Sequence, residues 1–185
     1  QVGFSRRAEF YRETSELIAW FLDEAQFEPA EIDRLDQALL AFVGVPTLET
    51  GSGVHVELVA SGRVSLISDP VLRRRVSTWE ALLSEATDGE VVARQYATVV
   101  VVPYLASRRV PIGRASRIPR RSEWELEVAS GREALTAYRA LAADPEFRTL
   151  ATWRYEWALG SAGDFKRASL AADSALALVR AGLGG

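Results

Sequence analysis

The twenty residues from 57 to 76 constrain the fold of this chain more than any other stretch, because they combine a helix end, a short turn and a helix start. Gly62 can adopt the left-handed conformation that closes a helix, since it lacks a Cβ atom. Asp69 is suited to cap the next helix, and Pro70 to occupy its first turn, where the missing amide costs no hydrogen bond. The stretch therefore predicts two helices joined by a tight corner.

Apolar side chains fill the turn between these two helix ends. Val64, Leu66 and Ile67 favour burial over contact with water, so we expect the corner to contact the core. The run 73–75 places three arginines on the second helix, spread over more than half of its circumference. At least one of them is expected to face the bundle and to bind a carboxylate or the C-terminal end of a helix.

The same stretch resembles the signature of an uncharacterised bacterial family of short membrane-anchored helical proteins. The residues that carry the resemblance are Ser61, Gly62, Leu66, Ile67, Asp69, Leu72 and Arg73. A second match lies at 144–148, where an aspartate, an apolar residue and an arginine resemble the start of a late helix in that family. The two matches cover the middle and the end of the chain.

The resemblance implies a brief cytoplasmic N-terminus, one transmembrane helix and a helical domain on the far side of the membrane. It implies no activity, cofactor or catalytic residue. The chain begins at Gln1 and contains no methionine, and its longest apolar run, 97–106, is shorter than the ~20 residues that a membrane-crossing helix needs. We therefore expect a membrane anchor to precede this chain, which would lie in the periplasm or extracytoplasmic space. A processed signal peptide or a trimmed cytoplasmic protein is the alternative.

Composition predicts one globular domain that covers residues 1–185. A chain of 185 residues with 48% hydrophobic and 25% charged content can bury a core of its own. The net charge of −3 argues against nucleic-acid binding through bulk positive charge. The absence of cysteine excludes disulfides, thiolate catalysis and cysteine metal sites. A single histidine, His55, excludes a metal site built on a histidine pair.

The spacing of apolar residues is helical throughout, which predicts an all-α fold, an elongated antiparallel bundle of about six to eight helices. In the first segment the apolar face includes Tyr11, Ile18 and Phe21. In the last segment apolar and small residues repeat from Phe165 to 183 at alternating four- and three-residue spacing. This narrow seam predicts that the last helix, beginning near Gly163, lies along the first.

The middle and late segments are less regular. Asp88 and Gly89 predict a break or kink in the helix that follows the signature. Residues 90–106 contain a valine block that suits a strand or a helix, and we predict a helix because an isolated strand has no partner in this sequence. Pro103 is expected to kink or end it. The predicted buried face of the late helix consists of Phe147, Leu150, Trp153, Trp157 and Gly160.

Catalytic chemistry has few candidates here, and each has a structural explanation that we favour. His55 has no identifiable partner and is better explained as a structural or surface residue. The segment 51–53 could bind an anion through its amides, but it lacks the lysine and the spacing of a phosphate loop. The glutamates at 123, 125 and 127 spread around a helix axis instead of sharing a face. No catalytic residue, cofactor or metal site is therefore predicted, and the chain is not expected to be an enzyme.

The strongest functional candidate is a basic loop, residues 108–124, that ends on an aromatic side chain. Its members are Arg108, Arg109, Arg114, Arg117, Arg120, Arg121 and Trp124. Six guanidinium groups could bind anionic lipid headgroups, a carboxylate ligand or an acidic partner protein. The alternative, which we favour, is that these arginines pair with surface carboxylates, since exposed arginines are common and pair weakly.

The resemblance and these patterns predict a non-enzymatic interaction or scaffolding domain. Its expected partner is an unidentified protein, and a homo-oligomer is one option. The domain is expected to be attached to the membrane through the missing anchor. Binding to nucleic acid is not expected. The alternative is a sensory or ligand-binding domain with a site lined by arginine and tryptophan. An interaction domain predicts a dry core and a contiguous apolar or arginine-rich surface, whereas a sensory domain predicts a polar cavity.

Overall fold

The computed structural model describes residues 2–23, 27–46, 61–110 and 131–183, and these residues are almost entirely helical, with no strand among them. The prediction of an all-α fold is confirmed. The helices are α1 (Val2–Asp23), α2 (Ile32–Val43), α3 (Pro70–Tyr96), α4 (Val102–Ser107), α5 (Gly131–Ala143) and α6 (Pro145–Leu183). Single 3₁₀ turns lie at Pro29–Glu31 and Arg63–Leu66, and a π-helical segment, Ala97–Val101, joins α3 to α4.

The described residues group into two compact units. The first unit takes its residues from within Gln1–Tyr11, Pro46–Glu90 and Gly160–Gly185. The second unit takes them from within Arg12–Val45 and Val91–Leu159. The helices α1, α3 and α6 therefore contribute residues to both units.

Aromatic rings dominate the core of the second unit. Phe147, near the start of α6, is fully buried and lies edge-on to Phe21 at 5.7 Å and to Phe42 at 4.8 Å between ring centroids. Tyr104 stacks on Phe147 at 6.1 Å. Edge-to-face pairs place the positive rim of one ring against the negative face of the next, which adds to the stabilisation by burial. The α2 face that carries Phe42 is buried too.

In the first unit α1 and α6 run antiparallel. The hydroxyl groups of Ser5 and Ser169 lie 3.2 Å apart, and the ring of Tyr11 stacks on that of Phe165 with 5.8 Å between centroids. Residue numbers therefore rise along α1 as they fall along α6. The predicted pairing of the first helix with the last is confirmed.

The two helices that begin at an Asp-Pro pair are capped in the same way. Asp69 Oδ1 accepts a hydrogen bond from the amide of Val71 at 2.8 Å, and Asp144 Oδ1 accepts one from the amide of Glu146 at 2.9 Å. The proline that follows each aspartate is the first residue of its helix. These caps satisfy amides that have no partner inside the helix, so both helices begin where the sequence predicts.

The turn before α3 differs from the buried corner that its apolar residues predict. Gly62 has a φ of 68°, the left-handed conformation expected for it. Leu66, however, is 77% exposed and Ile67 is only partly buried, so the prediction that Leu66 contacts the core is wrong. In a 3₁₀ turn, side chains three residues apart share a face. Arg63 and Leu66 are such a pair, and the face that they share is exposed.

Two predicted helix interruptions do not occur. The sequence predicts a break or kink at Asp88 and Gly89 and a new helix near Gly163. Neither position ends a helix, since α3 and α6 continue through them. A glycine in a helix interior costs only about 1 kcal/mol relative to alanine. Buried side chains nearby, such as Ala86 in α3 and Phe165 in α6, hold each helix in the first unit. Tertiary burial therefore outweighs the local preference.

The valine block between α3 and α4 is helical, as predicted, but it takes the π form. The amide of Val102 donates to the carbonyl of Ala97, five residues earlier. In an α-helix the ring of Pro103 would clash with the carbonyl of Val99, four residues before it. The wider π turn relieves that clash, so the chain continues as α4 through the proline.

The buried face of α6 in the second unit differs from the predicted one. Trp153 is 57% exposed, whereas Phe147, Ala151, Arg154 and Ala158 are buried. These four residues follow one another at spacings of four, three and four, so they form a stripe displaced around the helix from the predicted face. An arginine within the stripe hides it from an analysis of apolar spacing.

Candidate functional site

Arginine side chains bind backbone carbonyls near helix ends in the described residues. Arg148 Nη2 donates to Leu22 near the end of α1 at 2.9 Å, and the buried Arg154 donates through Nη2 to Gly44, just after α2, at 2.8 Å. Arg73 Nη1 donates to the carbonyl of Ser65, in the 3₁₀ turn before α3, at 3.4 Å. A guanidinium in such a place satisfies an orphan carbonyl and interacts favourably with the negative end of the helix dipole. The arginines at 73–75 are all exposed, however, so the expectation that at least one of them faces the bundle is wrong.

Arg108, the first residue of the basic loop, is held in a polar cluster of the second unit. Its Nη2 lies 3.2 Å from Asp144 Oδ2 and 3.3 Å from Glu146 Oε2, and its Cζ lies 5.2 Å from the centre of the Tyr104 ring. The Tyr104 hydroxyl donates to the same Asp144 oxygen at 2.6 Å. Arg108 is thus paired with carboxylates, which is the arrangement that the favoured interpretation of the loop predicts.

The hydrogen bond between Tyr104 and Asp144 shifts the pKa of both groups. The Tyr104 hydroxyl lowers the pKa of the Asp144 carboxyl below its usual value, while partial desolvation opposes it and the amides of Glu146 and Phe147 assist. Burial raises the pKa of the Tyr104 phenol, and the hydrogen bond to Asp144 raises it further. Both shifts favour a neutral phenol that donates to an ionised carboxylate.

The stability of the protein is therefore expected to depend on pH through this pair. Because the pKa of Asp144 is lower in the folded chain, its contribution is complete above about pH 4 and is lost as the pH falls through the folded-state pKa. Because the pKa of Tyr104 is raised, its contribution is complete below about pH 10 and is lost as the pH rises through the folded-state pKa. Urea denaturation at a series of pH values, from below about pH 4 to above about pH 10, measures the loss of stability at each end.

Two variants distinguish the loss of stability at acid pH from the loss of stability at alkaline pH. Asp144→Asn should reduce the loss at acid pH, because the asparagine does not titrate. Tyr104→Phe should reduce the losses at both ends, because it removes the phenol and the hydrogen bond that lowers the pKa of Asp144. A Tyr104→Phe protein with the pH profile of the wild type would show that the pair does not contribute in this way.

Arg109 closes the C-terminal end of α4. Its φ of 54° lies in the left-handed region, which disfavours residues with a Cβ atom. The amide of Arg109 donates to Ala106 and that of Val110 donates to Leu105, both at 3.0 Å. This pair of bonds is the Schellman motif, and Leu105 and Val110 are both buried, as its apolar contact favours.

Arg109→Gly should raise the free energy of unfolding by about 1 kcal/mol, because glycine adopts a positive φ without the steric cost. Arg109→Ala is the matched control, since it removes the same charge but keeps the Cβ atom. Urea denaturation compares the two variants. Equal stability would contradict the assignment of Arg109 to a strained helix cap.

The other predicted site residues lie outside the described residues. These are Arg114, Arg117, Arg120, Arg121 and Trp124 of the basic loop. His55, the segment 51–53 and the glutamates at 123, 125 and 127 lie outside them too. Of the basic loop, the structure thus describes Arg108 and Arg109, together with the buried Val110, at the C-terminal end of α4.

A buried carboxylate in the first unit is not identified by the sequence. Glu90 is 1% exposed, and its Oε1 accepts hydrogen bonds from Arg7 Nη1 at 2.6 Å and from the Tyr11 hydroxyl at 2.9 Å. A buried charge is tolerated when it is paired and hydrogen bonded. Helical spacing is the feature that indicates the burial of Glu90. This residue lies four residues after Ala86 and three before Ala93, and all three residues are buried. The break predicted at the neighbouring glycine hides this continuity.

An uncharged helix face runs along the second unit from residue 91 to residue 107. Its exposed residues are Val91, Val92, Gln95, Thr98, Val99, Val100, Val102, Pro103, Ala106 and Ser107. We call this set the valine face. Val99 is the most exposed of its valines, at 72%. The exposed residues of α1, by contrast, are mostly charged.

Trp153 is an exposed aromatic residue of the second unit. Its ring lies 6.4 Å from that of Trp157, which in turn packs edge-on against Tyr96 at 4.6 Å. Tyr96 lies one helical turn before Val99 and Val100 of the valine face. The ring of Trp157 therefore links Trp153 of α6 to Tyr96 at the end of α3.

Metal binding, membrane crossing and similarity to known proteins give three further findings. Among the described residues, no group of three or more histidine, cysteine, aspartate or glutamate side chains could hold a metal ion. No helix in the described ranges has the length and apolar content to cross a membrane. A comparison of the chain with protein-family models, with curated proteins and with solved structures finds no match.

Proposed function

We propose that this chain is a non-enzymatic interaction or scaffolding domain whose contact surface is the valine face. The observation that carries the proposal is the row of ten exposed, uncharged residues between 91 and 107, along the end of α3, the π segment and α4. Trp153, on α6 in the same unit, is also exposed. Contiguous apolar surface is unfavourable in water, and on a folded protein it is typical of a contact site. Valine side chains lose little rotamer freedom on binding, and tryptophan is among the residues that dominate binding energy.

The proposed setting is the extracytoplasmic space of a bacterium. The resemblance supports it, since the helix starts at Asp69 and Asp144 lie in the two stretches that carry the resemblance. We propose that the chain is the domain of a single-pass membrane protein and forms an elongated antiparallel bundle of about six to eight helices. In this setting the valine face would bind a protein partner outside the cytoplasm.

Site-specific photocrosslinking in cells that carry the full-length protein tests the proposal. A photoreactive amino acid at Val99 should capture one protein reproducibly, which mass spectrometry identifies. The matched control is the same amino acid at Leu170, which is 60% exposed on α6 in the first unit and should capture that protein much less. Failure to capture any protein at Val99, together with thermal stabilisation of the purified chain by a small metabolite, would overturn the proposal in favour of a sensory domain.

A further inference from the structure

We infer that the occupant of the valine face is a second copy of this chain, bound antiparallel about a twofold axis near Val99. The inference rests on the proposed function, because it names the partner of the same surface. Three properties of the face carry it: the absence of charge, the symmetric placement of its exposed residues and its size.

The ten exposed residues of the valine face carry no charge. Between Val91 and Ser107 the sequence has one charged side chain, Arg94, and it is only partly exposed. A charged partner surface would lose its water here without gaining an opposite charge. A side chain on a twofold axis meets its own copy, so a charge on the axis would face a like charge. A neutral face avoids that repulsion, and a second copy brings an equally neutral face.

The exposed positions of the face are placed symmetrically about Val99. Val92 and Ala106 lie seven residues before and after it, and Gln95 and Pro103 lie four residues before and after it; all are exposed. In an antiparallel twofold contact, a residue before the axis meets the residue equally far after the axis on the other copy. Val92 would thus meet Ala106, a large side chain against a small one that lets the helices interdigitate, and Val99 would meet its own counterpart.

The size of the face sets the expected strength of the dimer. The exposed parts of its five valines alone amount to on the order of 400 Å² per copy, and the five other exposed residues of the face add to this area, which places the face within the range of apolar patches that are often functional. A dimer would bury about twice this area, near the lower limit for a specific protein contact. We therefore expect a weak, reversible dimer with a Kd on the order of 10 μM.

A single introduced cysteine tests the contact directly, because the chain contains no cysteine of its own. Purified Val99→Cys should form a disulfide-linked dimer under mild oxidation, since the twofold axis brings this residue against its own copy. Leu170→Cys is the matched control, with a parent side chain that is 60% exposed, and should give roughly a tenth of that dimer or less. Equal crosslinking of the two variants would overturn the inference.

Charge reversal at the axis gives an independent test by sedimentation equilibrium. Val99→Glu and Val99→Lys should each weaken self-association by at least about tenfold, and an equimolar mixture of the two should recover it. Because Val99 is 72% exposed, the thermal unfolding of both variants should match that of the wild type, which shows that they fold. A wild-type chain that stays monomeric from roughly 1 μM to 1 mM would overturn the inference.

The outcomes separate this inference from the proposed function. If the purified chain stays monomeric while Val99 crosslinks to a different protein in cells, the dimer is wrong and the interaction role stands. If Val99 captures neither a second copy nor another protein, both are wrong.

Discussion

Phe147→Ala should lower the free energy of unfolding by about 3 to 5 kcal/mol. The side chain of Phe147 is fully buried and contacts the rings of Phe21, Phe42 and Tyr104. Alanine loses the transfer free energy of the ring and leaves a cavity that the close-packed neighbours fill only in part. Urea denaturation followed by far-UV circular dichroism measures the loss.

Phe10→Ala is the matched control for this prediction. It removes the same atoms from a ring that is 37% exposed, so it should cost well under half as much. Phe147→Leu keeps an apolar side chain of similar volume and should cost less than Phe147→Ala. A loss for Phe147→Ala no greater than that for Phe10→Ala would contradict a core centred on the aromatic cluster.

Glu90→Ala should also lower the free energy of unfolding by about 3 to 5 kcal/mol, for an electrostatic reason. The substitution removes the carboxylate oxygen that both Arg7 and the Tyr11 hydroxyl contact, in a place where the Arg7 side chain is 15% exposed. Polar groups held in a buried site recover little solvation when such a contact is lost. The same denaturation experiment measures the effect.

Glu16→Ala is the control for burial, because it breaks an ion pair with Arg12 whose side chains are 53% and 61% exposed. Such a surface pair contributes less than about 1 kcal/mol. Glu90→Gln retains an acceptor oxygen but not the charge, so its loss should lie between the other two. If Glu16→Ala and Glu90→Ala lower the free energy of unfolding by the same amount, burial does not strengthen the contacts of Glu90 with Arg7 and Tyr11.

Helix starts could be predicted because they depend on residues that are close in sequence. Asp69 and Asp144 cap their helices with hydrogen bonds to amides only two residues away. Gly62 adopts the positive φ that its missing side chain permits. Each of these features follows from short-range geometry, so the sequence contains the needed information.

Helix continuity could be predicted less well, because a local preference competes with burial. Gly89 predicts a break, yet the buried residues on either side, Ala86 and Glu90, keep α3 intact. Pro103 leads to a π turn that relieves its steric conflict while Leu105, two residues later, remains buried. The cost of a glycine or a proline is a few kcal/mol at most, which packing of a whole helix face exceeds.

The contacts of the predicted site could be predicted least well from the sequence, because they join residues that are far apart along the chain. The sequence places Arg108 in a basic loop and expects surface carboxylates as its partners. One of the two carboxylate partners that the structure shows, Asp144, lies 36 residues further on and is at the same time the cap of α6. No spacing rule connects a loop arginine to a helix cap so far along the chain.

The sequence by itself determined the helical fold, the sites where α3 and α6 begin, and the absence of cysteine chemistry. These properties depend on hydrogen bonds, dihedral preferences and periodicity along one segment. Only the tertiary structure decided which faces are buried. It buried Glu90 and Arg154 and left Leu66, Trp153 and the valine face exposed. Burial is decided by which residues from distant segments meet, and that depends on the packing of the whole chain.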